Sequence, residues 1–252
     1  MRTMETKRPV FKHKSKNPLT WGFARFSHEV KASRGCVQTP WQLFLAHFET
    51  FFIDSLFFNY ILPSNKHRVD DKMWRGGQPH HFQFKGLARS GIRSIINLRG
   101  ERSCASYYLE ERACKKYGIK LFNFPINSRQ PPKLEILEQL EELFSKVEYP
   151  ALIHCKAGSD RAGIMSALYL IMARKQPVEV AMKQLSLRYG HFRQAKTGVL
   201  DEFLETYQRF CAKQPIAFME WARKYYDRDA VIASHKIFSL MDWLTTSVLR
   251  RE

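Results

Sequence analysis

The feature that most restricts the fold is a short polar run between two apolar segments of different kinds. The run His154–Gly163 reads HCKAGSDRAG. It follows a strand-like segment, Tyr149–Cys155, and precedes a helix-like segment, Ala162–Arg174. A strand that enters a helix through a tight loop directs several backbone N–H groups to one place, where the helix dipole also favours an anion. The run therefore predicts an anion-binding loop in an α/β fold.

Three residues of this run suit the chemistry of a phosphate ester. A cysteine at the start of such a loop is expected to have a lowered pKa, because the N–H groups and the dipole stabilise its thiolate. Arg161 presents a planar fork that can bind two phosphate oxygens. Gly158 permits the turn that brings the N–H groups together. Attack of a Cys155 thiolate on phosphorus would form a phosphocysteine, which water then hydrolyses.

The run resembles the signature of the protein tyrosine phosphatase superfamily: His-Cys, five residues, Arg, then Ser or Thr, then Gly, between a strand and a helix. Trp74–Pro79 (WRGGQP) and Ile96–Glu101 (INLRGE) resemble two motifs of its bacterial dual-specificity-type members. The resemblance covers Val69–Gln208 and implies a phosphatase fold that needs neither a metal nor another cofactor. The residues then expected to bind phosphate are Lys156, Ala157, Gly158, Ser159 and Arg161.

Two positions depart from the pattern of that superfamily. Most members carry a general-acid Asp about thirty residues before the cysteine, but here no Asp occurs between Asp71 and Asp160. Asp160, inside the loop, resembles the Asp of myotubularins and Sac-type phosphoinositide phosphatases and is the expected general acid. The alternative is that it only caps the following helix, which would leave Asp70 and Asp71 as the next candidates. Ala162 replaces the Ser or Thr whose hydroxyl helps the cysteine to leave.

Three further residues are weaker candidates for the border of the site. Arg99 ends a predicted strand, at the edge where open α/β sheets bind ligands, and is a candidate substrate-binding residue. An ordinary surface arginine is an equally good interpretation. His191 and Lys196, in RYGHFRQAKTG, could border the site but are assigned no role.

Hydrophobic periodicity predicts the rest of the fold. Strand-like segments at Arg93–Arg99, Ile119–Pro125 and Tyr149–Cys155 alternate with helix-like segments. This alternation predicts an α/β fold with a central, mainly parallel sheet of four to five strands flanked by helices, followed by a helical C-terminal half. The predicted helices are Ser106–Tyr117, Leu134–Val147, Ala162–Arg174, Val178–Tyr189, Leu200–Lys213, Pro215–Tyr226 and His235–Glu252.

The chain of 252 residues divides into four parts. These are a basic, flexible arm (1–40), an aromatic-rich apolar segment (41–68), a phosphatase catalytic domain (69–213) and C-terminal helices (214–252). The stretch Trp41–Leu62 is long enough to span a bilayer, but it contains Glu49 and Asp54 near its middle. These acids favour a helix that packs on the domain or lies at a membrane surface.

The charge of the chain predicts a polyanionic partner. Its 41 Lys and Arg against 24 Asp and Glu give +17. Phosphoproteins, phospholipids, inositol phosphates and an anionic membrane surface all fit, whereas nucleic acid is disfavoured because no recognition module is visible. Five widely spaced cysteines and the lack of a signal-peptide pattern predict a cytoplasmic protein, with peripheral membrane association as an option.

These features predict a cysteine-dependent phosphatase of the protein tyrosine or dual-specificity type, with Cys155, Arg161 and Asp160 as its catalytic residues. One alternative is a phospholipid or inositol phosphate phosphatase at a membrane surface. Another is a phosphate-binding adaptor without catalysis, which Ala162 and the missing upstream Asp suggest.

Overall fold

The computed structural model describes residues 65–102 and 104–235. The predicted arm 1–40, the stretch Trp41–Leu62 and all but the first residue of the predicted helix His235–Glu252 lie outside the described residues. Within the described ranges the chain forms one five-stranded sheet with helices packed on both faces. The predicted α/β fold is therefore confirmed.

The sheet is mainly parallel, as the sequence predicts. Its strands are β1 (His67–Arg68), β2 (Met73–Gly77), β3 (Ser94–Asn97), β4 (Lys120–Asn123) and β5 (Ala151–Cys155). Their order is β1-β2-β5-β3-β4, and of these described strands β1 alone runs antiparallel to its neighbour. The register aligns Gly77 of β2 with Cys155 of β5. The segment WRGGQP therefore ends directly beside the candidate loop.

Eight α-helices are described, and most agree with the predicted segments. They are α1 (Phe84–Arg89), α2 (Ala105–Tyr117), α3 (Leu134–Lys146), α4 (Asp160–Met172), α5 (Val178–Met182), α6 (Val199–Cys211), α7 (Phe218–Lys224) and α8 (Arg228–Ser234). The prediction is wrong at Val178–Tyr189, where α5 ends at Met182 and a 3-10 turn forms only at Leu187–Tyr189. Ser186 separates the two elements because it is extended (φ −150°, ψ 158°).

The sheet separates two hydrophobic clusters, because successive residues of a strand face opposite sides. Ile95 and Leu152 belong to the smaller cluster, beneath α1 and α2. Ile96, Ile153 and Cys155 belong to the larger cluster, which α4 fills. Every residue of α4 except Arg161 is buried. The helix is therefore packed within the protein along its whole length, and only the side chain of Arg161 is partly accessible.

The C-terminal helices share the larger cluster. Trp221 of α7 packs against Phe203 and Tyr207 of α6, with ring centroids 6.0 and 5.1 Å apart. Arg223 of α7 also forms ion pairs with Glu138 and Glu141 of α3. The part of the chain that follows residue 213 is therefore packed on the domain as far as it is described. No helix in the described ranges combines the length and the apolar character needed to cross a bilayer.

Candidate active site

The candidate site lies at the carboxyl end of β5, where the chain passes into α4. Cys155 is the last residue of the strand, Asp160 is the first residue of the helix, and Lys156–Ser159 form the loop between them. The N–H of Gly158 donates a hydrogen bond to Sγ of Cys155 over 3.2 Å. The loop therefore curls around the sulfur atom, in the arrangement that the sequence predicts for an anion-binding loop.

All four carbonyl oxygens of the loop Lys156–Ser159 accept hydrogen bonds from groups outside it. In chain order the donors are the N–H of Gln78 (3.2 Å), Nδ2 of Asn65 (3.0 Å) and Nη2 of Arg75, which serves both Gly158 and Ser159 at 2.8 Å. Three residues from two segments distant in sequence, Asn65 and the stretch 75–78, thus hold the carbonyl groups of the loop against the body of the protein.

The backbone N–H groups of the loop must then point the other way. The carbonyl and the next N–H of a trans peptide unit lie on opposite sides of it. The N–H groups that follow the four carbonyls are those of Ala157, Gly158, Ser159 and Asp160. That of Gly158 reaches Sγ of Cys155, so the sulfur lies on the same side. Several backbone N–H groups on one side of a loop favour an anion there, and here that side also holds the sulfur of Cys155.

Arg75, on β2, supports the loop from below and is fully buried. Its Nη1 donates to the backbone carbonyl and to Oε1 of Gln184, and its guanidinium lies 4.1 Å from the ring centroid of Tyr189. Burial lowers the pKa of Arg75 to about 10, and the nearby Cys155, Tyr189 and Asp160 limit the decrease. The guanidinium therefore remains charged at neutral pH.

Gly158 is required at its position for two reasons. Its φ of 78° lies in the left-handed region that residues with a Cβ rarely adopt. A Cβ atom built there would also lie 2.5 Å from the carbonyl carbon of Gly76 and from the backbone nitrogen of Gly77. The loop thus approaches β2 backbone to backbone, which explains the glycines on both sides of the contact.

Arg161 is available to bind an anion beside the loop. It is half-buried, and its guanidinium has no hydrogen-bond or ion-pair partner among residues 65–102 and 104–235. The next residue, Ala162, is fully buried and supplies no hydroxyl group to the site. A guanidinium without such a partner, on the residue that directly follows the last inward N–H group, is suited to bind a tetrahedral oxyanion.

Asp160 is buried and forms a hydrogen bond with His191. Oδ1 of Asp160 lies 2.7 Å from Nδ1 of His191, and Oδ2 of Asp201 lies 2.6 Å from Nε2 of the same ring. Burial alone would lower the pKa of His191, but the hydrogen bonds and charges of the two carboxylates outweigh it and raise the pKa to about 9. Asp160 is the first residue of α4, and Ser159 occupies the capping position.

A second buried network lies behind the cysteine. Nε2 of His154 is 2.6 Å from Oε1 of Glu110, and both side chains are fully buried. Nε2 of Gln78 donates to the other oxygen of Glu110 over 3.0 Å. The guanidinium of Arg99 donates in turn to Oε1 of Gln78. Arg99 therefore lies at the predicted edge of the sheet, and its substrate-binding role stays a prediction.

Asp70 and Asp71 lie at the wrong end of the sheet to act on a group bound at Cys155. They precede β2, whose last residue is aligned with Cys155, and a five-residue strand spans about 13 Å or more. Asp70 accepts hydrogen bonds from Tyr169 (3.0 Å) and Arg174 (2.7 Å). The prediction that these two residues are the next candidates for the general acid is therefore wrong.

Sequence reasoning missed three buried residues that organise the site: Arg75, Glu110 and Asp201. The only sequence signal for Arg75 was its place in WRGGQP. Nothing in the local sequence distinguishes the acids Glu110 and Asp201 from surface residues. His191, a weak candidate, contacts Asp160 directly. Lys196 begins the 3-10 turn that precedes α6.

The chain is similar to known phosphatases in sequence. A family model described as "DSP-PTPase phosphatase fused to NAD+ Kinase" matches residues 59–200, more than half of the chain. An Arabidopsis thaliana protein named "Inositol diphosphatase DSP3" is 34% identical over 110 residues, which make up 41% of this chain and 52% of that protein. The chain thus spans about half the length of the first curated relatives that it matches.

Other similarities are weaker. A Homo sapiens protein named "Phosphatidylglycerophosphatase and protein-tyrosine phosphatase 1" is 25% identical over 144 residues, covering 54% of this chain and 72% of that protein. The crystal structure of P. aeruginosa TpbA matches with 16% identity and a TM-score of 0.46, over 69% of this chain and 91% of that one. The crystal structure of PTPMT1 matches with 22% identity and a TM-score of 0.43, over 59% and 99%.

Proposed function

The chain belongs to the DSP-PTPase phosphatase family, and from this membership we propose that it hydrolyses phosphate monoesters through a phosphocysteine at Cys155. One observation carries the proposal: the four carbonyl groups of the loop Lys156–Ser159 are all held by the rest of the protein, so its N–H groups face the opposite side, where that of Gly158 reaches Sγ of Cys155. A phosphate bound by these groups would present its phosphorus atom to the sulfur.

The proposed reaction has two steps. In the first, the Cys155 thiolate attacks phosphorus, the bond to the ester oxygen breaks, and Asp160 gives a proton to that oxygen. In the second, Asp160 takes a proton from water, the water oxygen attacks phosphorus, and the sulfur–phosphorus bond breaks to return the thiolate. The groups that bind the equatorial oxygens are the N–H groups of the peptide units that join Lys156, Ala157, Gly158, Ser159 and Asp160, and the guanidinium of Arg161.

Two features support these roles. Asp160 is the acidic residue at the loop-to-helix junction, directly before Arg161, and it is buried. Arg161 keeps its guanidinium without a protein partner in the described part of the chain. Ala162 provides no hydroxyl group to assist departure of the thiolate, so we expect the second step to limit turnover.

A second candidate substrate class is a small polyphosphate or phospholipid headgroup. The 34% identical relative is named an inositol diphosphatase, and the 25% identical one a phosphatidylglycerophosphatase and protein-tyrosine phosphatase. The half-exposed cationic residues Arg99, Arg102 and Lys156 follow the carboxyl ends of β3 and β5, and the whole chain carries +17. Such charge favours substrates with more than one phosphate.

The test is a phosphate-release panel with the purified chain. Phosphotyrosine and phosphothreonine peptides, inositol polyphosphates, an inositol diphosphate and phosphatidylglycerol phosphate are compared by kcat/KM, with Cys155→Ser as the blank. Release from at least one ester, absent in the blank, is the expected result. Tight binding of phosphate with no release from any ester would instead favour the phosphate-binding adaptor.

We also propose that an anionic membrane surface assists the reaction if the substrate is a lipid. The basic arm 1–40 and the aromatic stretch Trp41–Leu62 would combine charge attraction with an apolar anchor. Each basic residue near such a surface adds about 1 kcal/mol. The chain should sediment with anionic vesicles, less as salt rises, and weakly with neutral ones. A chain that does not sediment with anionic vesicles at any salt concentration contradicts this part of the proposal.

A further inference from the structure

His191 joins the candidate acid to a second helix through two short hydrogen bonds. Its Nδ1 lies 2.7 Å from Asp160, the first residue of α4, and its Nε2 lies 2.6 Å from Asp201, in the first turn of α6. All three side chains are buried. These two carboxylates are the charged groups that contact the ring from the helices packed against it.

The two contacts favour one protonation state of His191. A neutral imidazole has one N–H and one lone pair, so it can donate to only one of the two carboxylates. The other nitrogen would then hold its lone pair against a carboxylate oxygen less than 3 Å away, which is repulsive. An imidazolium donates to both. When both carboxyl groups are ionised, His191 therefore carries a positive charge between them; when Asp160 is protonated, its carbonyl oxygen can still accept the same Nδ1–H.

We propose that His191 is a positioning residue for Asp160: its imidazolium, anchored by Asp201, fixes the Asp160 carboxyl group in one orientation for proton exchange. The inference rests on the proposed function, in which Asp160 gives a proton to the leaving oxygen. Rotation about the last side-chain bond of an Asp is soft, and a hydrogen bond to one oxygen removes that freedom. A buried donor held between Asp160 of α4 and Asp201 of α6 supplies such a bond.

The contact between His191 and Asp160 also affects the proton transfer itself. When Asp160 passes its proton to the ester oxygen, the carboxyl group becomes a carboxylate while His191 keeps both of its N–H bonds. Charge then develops on Asp160 opposite the imidazolium, and a preformed opposite charge stabilises that transition state. In the second step the proton removed from water returns to Asp160. His191 thus acts through Asp160 and exchanges no proton with the substrate.

Two replacements of His191 separate its two hydrogen bonds. The amide nitrogen of Asn occupies nearly the place of Nδ1, whereas that of Gln occupies nearly the place of Nε2. His191→Asn can therefore keep the bond to Asp160, and His191→Gln can keep only the bond to Asp201. Glu205→Gln is the matched control, because it removes the neighbouring ion pair of Arg193 and Glu205 between the same two segments without touching Asp160.

The experiment measures kcat/KM for two aryl phosphates, one with a nitrophenolate leaving group and one with a phenolate leaving group. His191→Gln should lose roughly 10- to 100-fold on phenyl phosphate and several-fold less on the nitrophenyl ester, because only the poorer leaving group depends strongly on the acid. His191→Asn should recover part of the loss, and Glu205→Gln should match the wild type. The His191→Gln effect should vanish in an Asp160→Asn background.

A second measurement does not depend on turnover. Nitrogen-15 NMR of the intact chain should show both ring N–H groups of His191 protected and protonated at neutral pH, and Asp201→Asn should shift them. Equal losses on both esters, or losses that add to those of Asp160→Asn, would overturn the inference while leaving the proposed function in place. A wild-type chain that releases no phosphate from any ester overturns the proposed function and this role with it. Should His191→Gln fail to fold, Asp201→Asn is measured on the same two esters; no selective loss there overturns the inference.

Discussion

The guanidinium of Arg75 lies beneath the carbonyl oxygen of Ser159, with Nη2 2.8 Å from that oxygen. The same nitrogen donates to the carbonyl oxygen of Gly158, so one buried side chain from β2 orients two peptide units of the loop. The direction of the loop N–H groups is therefore set from the face opposite the sulfur of Cys155. The candidate phosphate site depends on this support as much as on the loop residues themselves.

Arg75→Lys tests this support. A lysine keeps the charge but lacks the fork that reaches two loop carbonyls and the Gln184 carbonyl together, so at least one buried acceptor is left unsatisfied. We expect a loss of about 1–3 kcal/mol in the free energy of unfolding and at least a tenfold loss of kcat/KM. Chemical denaturation and phosphate release measure both.

The control for Arg75 is an arginine at the other end of the sheet. Arg174→Gln removes an ion pair with Asp70 and Asp71 that lies far from the loop. This variant should keep its activity, and its free energy of unfolding should fall by only about 1 kcal/mol or less. Equal loss of activity in the two variants would show that Arg75 has no special role.

Gly158→Ala should abolish the anion site. The added Cβ would lie 2.5 Å from the backbone of Gly76 and Gly77, on a residue with a φ of 78°. Gly118 offers a matched control, since its φ of 67° imposes similar backbone strain while a Cβ there meets nothing within 4 Å. Gly118→Ala should cost about 1–2 kcal/mol of stability and no activity. Binding of orthovanadate should be lost in Gly158→Ala alone; retention of binding there would contradict the account of the loop.

The charge of His191 predicts a pH dependence of stability. Its pKa rises from 6.5 in the unfolded chain to about 9 in the folded chain, so the folded state binds more protons between these values. The stabilisation is complete below pH 6.5 and is lost as the pH rises through about 9. The difference between the two pKa values corresponds to about 3 kcal/mol.

The measurement for His191 is the free energy of unfolding by urea between pH 6 and pH 10. The wild-type value should fall across this range more than that of His191→Gln, which lacks the titrating ring. Glu205→Gln should follow the wild-type curve. Parallel curves for the wild type and His191→Gln would mean that the ring is neutral in the folded protein.

Asp160→Asn tests the proposed acid. Phosphate release from esters with poor leaving groups should fall by roughly a hundredfold or more, and release from nitrophenyl phosphate by much less. Asp71→Asn is the control, because Asp71 lies beyond the amino end of β2 and far from Cys155. Equal losses on all esters in Asp160→Asn would indicate a structural role for this carboxylate.

The elements that the sequence predicts well are those with local causes. The strand before Cys155 and the helix after it follow from apolar runs, and the end of α2 follows from Gly118, whose left-handed conformation the structure confirms. The place of the anion loop could be predicted because a strand that passes through a short loop into a helix N-terminus is a local pattern. Cys155 and Gly158 lie together in the structure for the same reason.

The missed features depend on contacts between distant segments. Arg75 is 84 residues from Ser159, and the bond between them exists only after β2 pairs with β5. The predicted helix Val178–Tyr189 stops early for a related reason. After Met182 the chain leaves the helical path. In this conformation Gln184 accepts a hydrogen bond from Arg75, and the ring of Tyr189 lies against the Arg75 guanidinium. Tertiary hydrogen bonds outweigh helix propensity there, and no local pattern records them.

Trapping of a phosphoenzyme shows whether Cys155 is the nucleophile. The chain is mixed with a phosphate ester that it hydrolyses, quenched in acid within milliseconds and analysed by mass spectrometry of its peptides. A phosphate group is expected on Cys155 in the wild type, and neither phosphoenzyme nor phosphate release is expected in Cys155→Ser, because a hydroxyl without an adjacent base is a poor nucleophile. Substantial phosphate release by Cys155→Ser, or a phosphoenzyme on any other residue, would contradict this role of Cys155.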